Sequence, residues 1–170
     1  RMRIEGCWCL GLLALLGGCV AGSEGPTDSG GPRELDPGLR PDLSAGPIAV
    51  PDEIPIDSIL EMMIGVRNGG TRQAEPGWVV RVVLSRDRII DSTDIEIDHF
   101  SAHRVLAPGA QDDYLRHKKL RGSTPLGLYY VGSILDVTGA VPEVNEGNNT
   151  LQSPGSTVLT SRSGAPTGDQ

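Results

Sequence analysis

Four groups of residues in this chain have types and spacings that could do chemistry. The first is PEVNEGNNT, Pro142 to Thr150, which crowds Glu143, Glu146 and three asparagines around Gly147. With Asp136 upstream, Glu143 and Glu146 could offer hard carboxylate oxygens to calcium, and Asn145 or Asn148 could add amide carbonyls. The same residue types suit a tight connection between strands. Asn and Gly tolerate positive φ, and Asn side chains satisfy backbone groups. No known calcium-loop spacing is matched, so the turn is the first reading and calcium the second. Gly147 is then a structural residue, provided its φ is positive. Asn148-Asn149-Thr150 also fits the N-x-T glycosylation pattern.

The second group is His99, His103 and His117. His99 and His103 are four apart, which on a helix would put two zinc ligands on one face. The flanking pattern is strand or loop, where that spacing separates them by roughly 13 Å. The third group is Ser85 with Asp87, Asp91 and Asp94. A serine hydrolase needs a strained turn to present its nucleophile, and no G-x-S-x-G stretch occurs. The aspartates, spaced four and three, do not alternate as EF-hand ligands do. They are better read as turn closers. No catalytic residues, metal site or cofactor are expected, with Asp136, Glu143 and Glu146 kept as calcium candidates.

The fourth group is at the start. RMRIEGCWCLGLLALLGGC has basic residues at Arg1 and Arg3, then an apolar stretch from Cys7 to Leu16. That stretch is too short to span roughly 30 Å of hydrocarbon as a helix and fits the apolar region of a secretory signal. Leu16-Gly17-Gly18-Cys19 resembles the bacterial lipobox. The resemblance implies a diacylglycerol on the thiol of Cys19, cleavage before it, and acylation of the new amine. Cys7 and Cys9 would leave with the leader, so the folded part would hold no disulfide and no thiolate metal site. Val20, not aspartate, follows Cys19, which favours the outer membrane or cell surface over retention at the periplasmic face.

These groups need elements to position them. The 170 residues include 23 Gly and 13 Pro, clustered toward both ends. This composition divides the chain into a signal at 1–18, a flexible tether at 19–40, one folded domain at 41–158 and a disordered tail at 159–170. The net charge of −7 excludes a phosphate-neutralising surface, so no nucleic-acid partner is expected. Inside the domain the hydrophobic period is two. Leu60, Met62, Ile64 and Val66 share one face, as do Trp78, Val80, Val82 and Leu84, and later Tyr129, Val131, Ser133 and Leu135. RNGGT, EPG, APGAQDD and VTG supply the turns. Short strands at regular spacing predict an all-β antiparallel sandwich, with Trp78 as its largest core anchor.

The order of these pieces resembles a family. Pro41-Asp42-Leu43, IGVRNGGTRQAE, VVLSRDRIIDSTDIEI, LAPGA and TPLGLYYVGSILDVTGAVPEVNEGNN follow one another as in CARDB domains, cell-adhesion-related immunoglobulin-like modules of bacteria. The resemblance runs from about Pro41 to Val158. It implies seven or eight strands, an extracytoplasmic location and no catalytic residues. Asp98 to Arg104 departs from it and is not assigned to a strand. Tyr129, two residues after Gly127, looks like a tyrosine corner whose hydroxyl bonds back upstream. The functional expectation is a lipid-anchored module for adhesion, protein binding or spacing at the envelope. Its partners would be the membrane, through Cys19, and another envelope or surface protein. The rival is an accessory subunit of a periplasmic enzyme or secretion complex. An enzyme with an unrecognised site ranks third.

Overall fold

The computed structural model describes residues 39–161. The core forms where the period-two pattern is strongest. In β3 (Ile59–Asn68), Leu60, Met62, Ile64 and Val66 all point inward and are buried. β1 (Leu43–Ala49) and β6 (Gln111–Lys119) pair with its two edges, both antiparallel, giving a three-stranded sheet in the order β1-β3-β6. The opposing sheet is built on β4 (Val79–Ser85) and β7 (Gly127–Ile134), whose inward residues include Val80, Val82, Leu84, Tyr129 and Val131. β5 (Ile95–Ser101) lies outside β4. β2 (Glu53–Pro55), β8 (Thr150–Gln152) and β9 (Thr157–Thr160) complete that sheet, in the order β2-β9-β7-β4-β5 with β8 also on β7. Trp78, fully buried just before β4, meets Tyr114 of β6 edge-on at 6.4 Å between ring centres. The two sheets therefore share one aromatic-centred core, the arrangement of a sandwich.

The nine strand segments occupy seven strand positions. The first strand breaks at Pro51, so β1 pairs with β3 while β2 crosses to pair with β9. A proline cannot donate to a ladder, which makes the crossover a natural place for it. The last strand breaks at Ser153-Pro154-Gly155, and β8 and β9 run along the same edge of β7. Ser153 spans the break. Its amide donates to Val131 O at 2.7 Å, and its hydroxyl accepts from Val131 N at 3.2 Å. The expected antiparallel sandwich is present, with β2 and β9 as a parallel exception.

Asp98 to Ser101, left off the strands by the sequence pattern, belongs to β5. A bulge hides it: Val82 faces Asp98, but Val83 faces Glu96, leaving Ile97 extra. Ile97 and Asp98 are consequently buried in succession, which destroys the alternation. The domain also exceeds its expected limits at both ends. Leu159 is core, paired with Gly127 and Ile54, so β9 runs past 158. Arg40 O accepts from Thr71 N and Arg72 N, so the presumed tether is already held at residue 40. The expected signal, Cys19 and most of the tether and tail lie outside the described residues.

Between β4 and β5 the chain folds back over the outer face of its own sheet. A Cβ on Gly132 would lie 2.4 Å from Ile90 Cδ1, so only glycine allows that isoleucine to seat against β7. Gly132 faces Val83 across the ladder, and Val83 is buried although it points away from the core.

Candidate functional site

The stretch that opened the sequence reading closes around the entry of the chain. Leu43 N donates to Glu143 Oε2, and Asn149 Nδ2 donates to Glu143 Oε1 at 3.0 Å. Val144 N reaches Pro41 O at 3.0 Å, and Asn148 Nδ2 reaches Asp42 Oδ1 at 3.0 Å. Pro41 to Leu43 is thereby clasped by residues one hundred positions later. Glu143 is buried, and that burial raises its carboxyl to about 7 against the lowering effect of the Asn149 and Leu43 bonds. The charges of Glu146 and Asp136 push the same way.

The other two calcium candidates are likewise engaged by the chain's own amides. Asp136 has φ 42°, in the left-handed region that Asp tolerates. Its carboxylate accepts from Ala140 N at 2.9 Å and Val141 N at 2.7 Å, closing the turn into the clasp. Glu146 Oε1 accepts from Glu143 N at 3.1 Å. Among the described residues no three His, Cys, Asp or Glu come together to hold a metal ion. Gly147 departs from the condition placed on it. It sits in a single 3₁₀ turn, Glu146–Asn148, and is not among the positive-φ glycines, which are Gly77, Gly109, Gly127 and Gly139. Gly147 N instead donates to Asn145 Oδ1 at 2.9 Å, an Asx-type closure.

The histidines are dispersed. His99 Nδ1 pairs with Glu96 at 2.8 Å on β5, and His117 Nε2 pairs with Glu61 at 3.0 Å across the other sheet. His103 lies edge-on to Tyr114. Ser85 Oγ lies 3.4 Å from Asp87 and donates to Ile89 O, with no histidine beside it. Asp87 and Asp91 accept from Ile89 N and Thr93 N, and Asp94 accepts from Asp91 N. All three aspartates thus close turns. Tyr129, fully buried, donates its hydroxyl to Pro125 O at 2.8 Å, and Arg86 lies 4.3 Å over its ring.

Three polar residues that the sequence reading passed over have large structural roles. Asn68 is fully buried, with Oδ1 accepting from Asp42 N and Gly70 N at 3.0 Å each. Its Nδ2 donates to Arg72 O and Leu106 O at 2.7 and 2.9 Å. An asparagine directly before two glycines was the available signal. Asp98 and Ser153 had none, because their partners are remote or follow from a strand break.

A cleft of about 720 Å³ opens beside the clasp, between Arg40, Pro41, Arg72, Pro108 and Val141. Its walls come from the chain entry and three loops at one end of the sandwich, where binding loops of such folds gather.

The class this fold defines is the all-β immunoglobulin-like sandwich, and solved CARDB domains are similar to it in fold. A crystal structure of a CARDB domain from Pyrococcus furiosus, solved in complex with di-metal ions, is 21% identical with a TM-score of 0.53, covering 71% of this chain and 90% of that one. A domain of a protein assigned to the cell surface in Methanosarcina acetivorans is 20% identical with a TM-score of 0.54, covering 75% of this chain and 99% of that one. No protein-family model matches the sequence, and no curated protein matches it at a significant level.

Proposed function

We propose that this chain is a non-enzymatic CARDB-like module, displayed outside the cytoplasm on a lipid at Cys19, that binds or spaces proteins at the envelope. The observation that carries the reading is the clasp. Glu143, Val144 and Asn148 spend their polar groups on fixing Pro41 to Leu43, the point where the chain enters the sandwich. A module that is tethered and presented needs a firm entry point more than a reactive centre. The likeness to a CARDB domain and to a cell-surface domain supports the same reading at the level of fold. The 720 Å³ cleft beside the clasp is the place where a surface protein would dock.

The test is fractionation of cells producing wild type and Cys19→Ala, with intact-mass analysis of the native protein. The reading expects lipid mass on Cys19, and loss of membrane association in the variant. An unmodified thiol on the mature protein overturns the anchor. Affinity capture from solubilised envelope then separates a surface partner from an enzyme or secretion complex.

A further inference from the structure

Among the described residues, no strand pairs with the outer edge of β6 in the three-stranded sheet. In an antiparallel pair, alternate residues exchange both backbone bonds with the neighbour, and those between turn theirs away. Leu120 N donates to Ser58 O and Asn68 N to Ala110 O, which fixes the even-numbered residues as the ones bonded to β3. The amides and carbonyls of Leu115 and His117 therefore face outward from the edge, as do those of Asp113, whose amide donates to Asp112 Oδ1 at 3.1 Å and would have to exchange that bond on pairing. Such edges are often blunted by charged side chains, lysine above all. This one carries both signs, in order: Gln111, Asp112 and Asp113 in its first part, then Arg116, His117, Lys118 and Lys119.

We infer that β6 is a self-association strand and that its partner is β6 of a second copy, paired antiparallel about Leu115. That register places Asp113 opposite the second copy's His117, Gln111 opposite its Lys119, and Leu115 opposite Leu115. On the inner side it places Asp112 opposite Lys118 and Tyr114 opposite Arg116. Parallel pairing would stack like charges, so the sign order selects the two-fold arrangement. Two further observations agree. Leu115 and Met63 are exposed at 52% and 41%, and with Ala49 they form one row straight across the outer face. Pairing at Leu115 would continue that apolar row across both copies. The inner cations, moreover, repel an incoming strand less than two free charges would, because Arg116 and Lys118 share the Asp98 carboxylate. The inference is independent of the lipid anchor and goes beyond it.

Sedimentation equilibrium of the full chain tests it, with Cys19→Ala to exclude acyl groups and a non-ionic detergent to mask the apolar leader. Wild-type chain should dimerise reversibly at micromolar to millimolar concentration, as expected of a small polar interface. Gln111→Lys with Asp113→Lys makes the outer row basic, and His117→Glu with Lys119→Glu makes it acidic. Each variant should weaken its own dimer by about tenfold or more, while an equimolar mixture restores association. Thermal unfolding of both variants checks that they are folded. A chain that stays monomeric, or a dimer that ignores both charge changes, overturns the proposal.

Discussion

Asp98 on β5 and Arg116 on β6 join the two sheets of the sandwich along their open side, with Oδ2 accepting from Nε at 2.9 Å. Lys118 takes the other oxygen at 3.1 Å, and the Arg116 guanidinium also lies 4.4 Å over the Phe100 ring. Burial would raise this carboxyl, but the bonds and charges of Arg116 and Lys118 outweigh it and hold the pKa below the ordinary value. One buried acid thus stitches two edge strands that share no backbone bonds.

Asp98→Asn should destabilise the fold by about 1–3 kcal/mol near neutral pH, since both cations are partly exposed and can recover some hydration. A depressed folded pKa contributes stability that is present above the unfolded value and lost as pH falls through the folded one. The difference between wild type and variant in urea titrations should therefore shrink below about pH 4.

Glu143 has the opposite sign and a different window. Its folded pKa, about 7, lies above the ordinary 4.5, so the folded state holds the proton more tightly. The stability this supplies is full below about 4.5 and declines as pH rises through 7. Glu143→Gln should flatten that decline, leaving the variant's stability relative to wild type better at pH 8 than at pH 5. Urea midpoints at the two pH values measure it. A midpoint that rises with calcium and loses that rise in Glu143→Gln would instead make the clasp a metal site.

Trp78→Ala should cost about 3–5 kcal/mol, because the indole is fully buried against Tyr114. Trp78→Phe should cost distinctly less. Among the described residues no hydrogen-bond acceptor meets the buried indole N–H, so its removal forfeits volume without breaking a bond to them. Guanidinium titration of the two variants separates these effects.

Tyr129→Phe should remove about 1 kcal/mol by deleting the bond to Pro125 O while keeping the ring under Arg86. Hydrogen exchange should show faster opening of the Arg121 to Leu128 segment in the variant, with little change in β3.

The parts of this fold that were legible in the sequence are those whose cause is local. Alternation along β3, β4 and β7 is written in successive residues, and so are the turns at Asn68-Gly69-Gly70 and Val137-Thr138-Gly139. Residues whose role depends on a remote partner were not legible. Asp98 reads as one acid among several until β6 arrives with two cations, and the bulge at Ile97 breaks the very period that would have marked its strand. Glu143 was visible as a carboxylate near others, which raised the thought of a metal. What satisfies it is an amide one hundred residues earlier, and no spacing rule reaches that far. Gly147 was credited with a left-handed turn that Asp136 and Gly139 make instead.

The parallel pairing of β2 with β9 has a mechanical meaning. The chain enters the sandwich before β1, crosses into β2, and leaves after β9. Tension applied at Leu39 and Thr160 would drag β2 and β9 in opposite directions along their common axis. The bonds linking Asp52 to Val158 and Ile56 to Thr160 would then bear the pull together, in shear, rather than opening one after another from an end. The clasp on Pro41 to Leu43 would meet the force first. A domain built this way is suited to hold its shape while tension is applied between its two ends.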